Sequence, residues 1–312
     1  MKKRLQNKIA ESRLSLPIAV VYGIIVWILA GLMTEQLWVQ FCCFGLSVYL
    51  MAELNNQNML IRIFSRMVSC VYIVLICTAV FLFPSISGAV VQLCAVSSLF
   101  MLFHTYQDTD SAGWIYYVFL FLGVASCIDV HILYYVPLYW ILMAWLIYSL
   151  SWRTFLASLL GLITPYWFTL PWYVYHHEFH IWTDHLAGLL DITLRPDFAS
   201  LSMPQLFFLG FLLALAILGG LHFFITSYLD KIRVRQLYYT FILMTVYSVL
   251  LVFLQPQCYG MIIGMMIITV SPLYGHFIAL THTRLSNIVF IVIAAITLTL
   301  TGLNLWISSS HF

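Results

Sequence analysis

Pro165-Tyr166-Trp167-Phe168-Thr169-Leu170-Pro171-Trp172-Tyr173-Val174-Tyr175 runs directly into His176-His177-Glu178-Phe179-His180-Ile181-Trp182-Thr183-Asp184-His185. An aromatic belt bounded by prolines gives way to the most polar neighbourhood in the chain. The sequence holds eleven acidic residues and ten histidines. Eight of these fall between His176 and Asp197: His176, His177, Glu178, His180, Asp184, His185, Asp191 and Asp197. On either side the chain turns almost wholly apolar, so this stretch reads as the longest connector between buried segments.

The flanks define the class. The 312 residues are 63% hydrophobic and 8% charged, against roughly 25% charged in ordinary soluble domains. That composition leaves too little polar surface to cover a globule. Apolar runs of about eighteen residues or more point to lipid as the solvent. The sequence therefore predicts an all-α, polytopic integral membrane helix bundle of about eleven transmembrane helices (10–12), forming a single transmembrane domain over 1–312. The expected spans are about 16–33, 37–52, 67–83, 86–103, 114–127, 132–150, 154–172, 204–229, 237–254, 259–280 and 286–307. The polar run from Glu53 to Arg66 reads as a connector between the second and third.

Orientation follows from Lys and Arg, which favour the cytoplasmic side. Eleven alternating spans with a cytoplasmic N-terminus put twelve of the thirteen basic residues inside and leave Arg195 outside. Residues 1–15 then form a basic cytoplasmic N-terminus, 173–203 a long outer loop, and the C-terminus lies outside. The apolar run after Arg13 is too long for a signal-peptide core, so it reads as an uncleaved first span. The seven cysteines lie mostly in apolar segments without a C-x-x-C pair, as small hydrophobes would. Gly219-Gly220 and the G-x-x-x-G of Gly260 and Gly264 read as sites of close helix packing. Pro137, Pro165, Pro171 and Pro272 read as kinks or breaks.

The outer loop carries the candidate chemistry. Continuous helix over 176–193 gathers His176, His177, His180, Asp184 and Asp191 within an arc of about 100°, making an amphipathic helix at the outer interface. Three readings stand side by side. The loop is an interfacial anchor, with Trp and Tyr at headgroup level. Or it is an active surface, with His177 or His180 as base, Asp184 orienting it, Trp167, Trp172 and Trp182 as stacking platforms and Arg195 as a phosphate contact. Or His177, His180 and Asp184 hold a metal, although their spacing matches no named zinc signature, and no metal is assigned.

The sequence offers no basic patch with interleaved aromatics, so nucleic acid is not a partner. It has no phosphate-binding loop, nucleophile elbow, zinc-protease or dinucleotide motif, and so implies no cofactor. The first outer loop, Thr34-Glu35-Gln36, is too short for the catalytic loop of a large polytopic glycosyltransferase. Few ionisable residues fall mid-span, which speaks against proton- or sodium-coupled transport. A protein handling lipid-linked or envelope glycan at the outer face fits the threading, with membrane lipid and that glycan as partners. A transporter, flippase or assembly subunit is the alternative.

Three further runs carry a resemblance: Glu53-Leu54-Asn55-Asn56 through Leu60-Ile61-Arg62-Ile63 to Ser65-Arg66; Phe103-His104-Thr105-Tyr106-Gln107; and Trp152-Arg153-Thr154 with Gly161-Leu162 and Pro165-Tyr166-Trp167-Phe168. Together, over roughly Glu53 to Phe168, they resemble a family of uncharacterised polytopic inner-membrane proteins of Bacteroidetes. The resemblance implies a Gram-negative inner membrane and brings no activity with it.

Overall fold

The structure is a computed structural model that describes residues 4–190 and 201–310. Among the described residues it is helical, with no strand. A short α1 (Leu5–Ala10) precedes α2 (Ser15–Leu29), α3 (Trp38–Asn58), α4 (Met67–Thr78), α5 (Ile86–His104), α6 (Ala112–Ile128) and α7 (Tyr135–Trp145). Then come α8 (Trp152–Tyr175), α9 (Phe179–Ala187), α10 (Met203–Thr226), α11 (Ile232–Leu254), α12 (Tyr259–Leu280) and α13 (Arg284–Ser310).

A helix stands at each of the eleven expected stretches. Six of the described segments are long and apolar enough to cross a membrane: Ile86–His104, Trp152–Tyr175, Met203–Leu229, Ile232–Leu254, Pro256–Leu280 and Arg284–Ile307. The other apolar helices include Ser15–Leu29, Met67–Thr78, Ala112–Ile128 and Val130–Trp145, which are shorter.

Several boundaries differ from the sequence reading, each for a local reason. The polar run after Ala52 is not a connector: α3 continues through it to Asn58. Gln57 Nε2 donates to Glu53 Oε1 at 2.6 Å and Asn58 Nδ2 to the Leu54 carbonyl at 2.9 Å, so the polar side chains support the last turns. The helix stops at Met59, which is left-handed at φ 48°. In the other direction, α4 ends at Thr78 instead of running to Phe83. The Thr78 carbonyl accepts from Asn304 Nδ2 of α13 at 2.6 Å, and a 3-10 turn, Val80–Leu82, follows.

The core is built around α12. Every residue from 261 to 280 is buried, and α12 packs against α4, α5, α10, α11 and α1. Hydroxyls inside this helix are satisfied locally: Ser271 Oγ donates to the Ile267 carbonyl, and Thr269 Oγ1 accepts from Thr245 of α11 at 2.8 Å. Pro272 sits within α12 and Pro165 and Pro171 within α8, without ending either helix, whereas Pro137 falls in the first turn of α7, where a missing N–H costs nothing.

Small residues set two helix seams. A Cβ on Gly161 of α8 would lie 2.4 Å from the Tyr116 carbonyl oxygen of α6, and one on Gly123 of α6 would lie 2.8 Å from that of Leu162. On α10, a Cβ on Gly219 would meet the Leu273 carbonyl of α12 at 2.7 Å. The remaining glycines expected at seams behave otherwise. Gly220 has nothing within 4 Å, and Gly260 and Gly264 face only side chains, Leu82 and Gln92, at 3.7 and 3.8 Å. The G-x-x-x-G is therefore not a backbone-contact seam in this chain.

Connections gather at two ends of the bundle. At one, α1 lies across the end of α12: Gln6 Nε2 donates to the Ile278 carbonyl at 2.8 Å and Asn7 Nδ2 to the Thr281 carbonyl at 2.9 Å. Arg4 also donates to the His282 carbonyl. These side chains occupy helix-terminal carbonyls that have no partner within the helix. Arg153 pairs with Asp110 at 3.7 Å at this same end, and Arg62, Arg66, Lys231, Arg233, Arg235 and Arg284 lie in its connectors or first helical turns. We refer to it as the basic end.

Candidate functional site

The expected outer-loop site is dispersed. Instead of one helix over 176–193, α8 runs on to Tyr175 and closes with His177 in the left-handed region at φ 58°. Glu178 N–H reaches back to the Tyr173 carbonyl at 2.9 Å and His177 N–H to that of Val174 at 3.2 Å, the paired bonds of a Schellman helix end. Helix resumes only at Phe179. This break puts His176 and His177 on a different element from His180 and Asp184.

His177, His180 and Asp184 are all exposed, and among the described residues no hydrogen bond or ion pair joins them and no group of three or more His, Cys, Asp or Glu could hold a metal. Trp167 and Trp172 are 73% and 63% exposed on α8. Trp182 turns inward instead, edge-on to Tyr166 and stacked on Phe179. Arg195, Asp191 and Asp197 lie outside the described residues. What fixes α9 in place is His185, whose Nε2 lies 2.8 Å from the Ser126 carbonyl of α6, with Tyr134 Oη donating to the Leu189 carbonyl at 3.0 Å.

The basic end holds a different constellation. His222 lies one turn before the end of α10 and His276 one turn before the end of α12. Each lies three residues after a partner in the Gly219–Leu273 backbone contact, and residues three apart share a helix face. The close approach therefore brings the two imidazoles together, with Nδ1 to Nδ1 at 3.3 Å. Beyond α10, the 3-10 turn Ser227–Leu229 turns Asp230 back into the bundle. Its Oδ2 lies 3.2 Å from His276 Nε2, while Oδ1 faces Arg62 Nη1 at 3.7 Å. The order His222–His276–Asp230–Arg62 thus joins α10, α12, the α10–α11 connector and the α3–α4 connector.

Burial is graded along this row. The side chains of His276 and Asp230 are 0% and 2% exposed, that of Arg62 is 33% exposed, and His222 is half-buried. Aromatic rings enclose the middle: Tyr238 at 4.8 Å and Phe223 at 5.6 Å from the His276 ring. Arg233 closes the neighbouring seam, donating to Asn58 Oδ1 at 2.9 Å and to the Phe103 carbonyl at 3.2 Å.

An imidazole flanked by a carboxylate on one nitrogen and a second imidazole on the other can hold a proton or pass it along the row, because each ring nitrogen switches between donor and acceptor. With Asp230 ionised and His276 neutral, His276 Nε2–H donates to Asp230 and His276 Nδ1 is left to accept from His222. Among the described residues no hydroxyl or thiol is hydrogen-bonded to either imidazole ring.

No protein-family model, curated protein or solved structure matches the chain.

The sequence reading missed this cluster because His276 lies 46 residues from Asp230 and 54 from His222 along the chain and each reads singly as the polar end of a span. The available signal was the appearance of three ionisable side chains close to the ends of apolar segments that adjoin basic connectors.

Proposed function

We propose that the protein is a multi-pass membrane protein whose working element is the His222–His276–Asp230–Arg62 row, acting as a proton-responsive switch in transport. The observation that carries the reading is the complete burial of His276 between Asp230 and His222. Ionisable groups sequestered in a membrane bundle are costly and mark ion pathways and relays. In this reading eleven helices cross, the basic end and N-terminus face the cytoplasm and the C-terminus lies outside. The Lys and Arg distribution supports that orientation, and the resemblance to Bacteroidetes proteins supports a Gram-negative inner membrane.

Hydrogen exchange of the nanodisc-embedded protein at pH 5 and pH 8 tests the switch. The expected result is a pH-dependent change in protection over 222–236 and at the end of α12 that disappears in His276→Gln. Identical protection factors at the two pH values, each taken relative to the intrinsic exchange rate at that pH, would sink it.

The second reading is handling of lipid-linked or envelope glycan at the opposite end. Its support is the exposed ring of Trp172, set 4.4 Å from that of His176, and the exposed Trp167. It assigns His177 or His180 as base, Asp184 as orienting group and Arg195 as phosphate contact, with α9 lying in the interface. Joint replacement of His177, His180 and Asp184 by Ala separates the two readings: loss of the cellular phenotype with normal insertion favours glycan chemistry, and a wild-type phenotype removes it.

A further inference from the structure

A groove of about 330 Å³ opens on the side of the bundle between α2, α4 and α13, floored by α10 and α12. Its walls are almost wholly apolar, formed by side chains such as Ile18, Val71, Leu75, Ile293 and Leu298. Small residues give it depth, Ala19 on α2 and Ala294 on α13. It begins at the basic end, where Ile9 of α1 and Ser15 line its mouth, and reaches Tyr22 and Thr297. From Ser15 to Tyr22 is about 10 Å of helix rise. There a polar layer closes it: Tyr22 Oη lies 2.9 Å from Thr301 Oγ1, which in turn bonds Thr78 at 3.3 Å.

Three cationic residues lie one or two positions in sequence from residues that line the groove. Lys8 is exposed on α1 beside Ile9, Arg13 is exposed two residues before Ser15, and Arg66 caps α4 immediately before Met67, another lining residue. Arg66 is held over the Phe64 ring at 5.8 Å. Glu11 is the one acidic side chain in the segment that joins α1 to α2. An apolar slot of limited depth whose lining residues are flanked in sequence by three cations matches one chemistry, an aliphatic chain joined to an anion.

We infer that this groove is a binding site for an anionic phospholipid, one acyl chain lying along Ile18, Val71 and Ile293 and the phosphate among Lys8, Arg13 and Arg66. The acyl chain is already in hydrocarbon before it binds, so close packing in the slot holds it, and the cations supply the preference over zwitterionic lipid. The inference rests on the reading that the basic end lies at a membrane–water interface.

The test is native mass spectrometry of the protein released from nanodiscs of equal phosphatidylglycerol and phosphatidylcholine. The expected result is one phosphatidylglycerol retained per chain in preference to phosphatidylcholine. Lys8→Gln, Arg13→Gln and Arg66→Gln each lower that preference by about fivefold, and Ala294→Phe, which fills the slot from a partly exposed position, removes the retained lipid of either kind. Equal retention of the two lipids, or retention unchanged in Ala294→Phe, overturns the site. Wild-type elution on size exclusion shows that the variants are folded. Failure of the membrane reading has its own signature, a protein that enters no nanodisc of either lipid.

Discussion

Gly219 and Leu273 touch backbone to backbone: a Cβ at position 219 would stand 2.7 Å from the Leu273 carbonyl. This contact fixes the separation of α10 and α12 one turn before His222 and His276, so helix spacing and the imidazole pair are set together. Gly219→Ala is expected to destabilise the protein by about 1–3 kcal/mol through overpacking, and to part the two histidines. Gly220→Ala, with open space around it inside the helix, is expected to stabilise by about 0.5–1 kcal/mol. Unfolding of the detergent-solubilised protein in a denaturant series measures both.

The His276–Asp230 contact predicts non-additive energetics. Removing one partner of a buried hydrogen-bonded pair costs about 1–3 kcal/mol, because the other is left unsatisfied. For Asp230→Asn the expected loss is toward the lower figure, since Arg62 is one-third exposed and water screens it. His276→Gln and Asp230→Asn combined are expected to cost less than the two single losses added together. A double-mutant cycle on unfolding free energies checks this, and strict additivity would deny the coupling.

The two kinds of glycine separate by experiment. Gly161→Ala drives a methyl group into the Tyr116 carbonyl, so α6 and α8 must part, at about 1–3 kcal/mol. Gly264→Ala meets only the Gln92 side chain at ordinary contact distance and is expected to be silent. Melting temperatures of the two variants should diverge, and equal losses would mean that the G-x-x-x-G packs as closely as the α6–α8 seam.

Attachment of α9 depends on His185 rather than on the exposed histidines before it. Loss of the contact to the Ser126 carbonyl in His185→Ala removes roughly 0.5–1.5 kcal/mol. Amide exchange over 179–190 is then expected to quicken roughly two- to tenfold. His180→Ala, on the exposed side, is expected to leave that rate as it is.

The helical class and the position of each apolar segment were legible in the sequence, because apolar runs and polar punctuation are local signals. Boundaries were less so where side chains override them. Glu53–Asn58 looks like a connector until Gln57 and Asn58 are seen bonding within the helix. His177 looks helical until its left-handed φ closes α8. Crowding of His and Asp in 176–185 marked the loop correctly as polar but suggested a constellation that the helix break disperses.

Sequence alone determined that this chain is helical over its described length, that its helices are apolar and that an eleven-span threading gathers twelve of the thirteen basic residues at one end, since these follow from composition and from spacing along the chain. Tertiary structure alone decided which ionisable groups meet. Arg62, the segment carrying His222 and Asp230, and His276 are far apart in sequence, and they converge because a glycine lets α10 approach α12 and a 3-10 turn points Asp230 inward. Convergence of that kind depends on helix-to-helix distance, a quantity no single segment encodes.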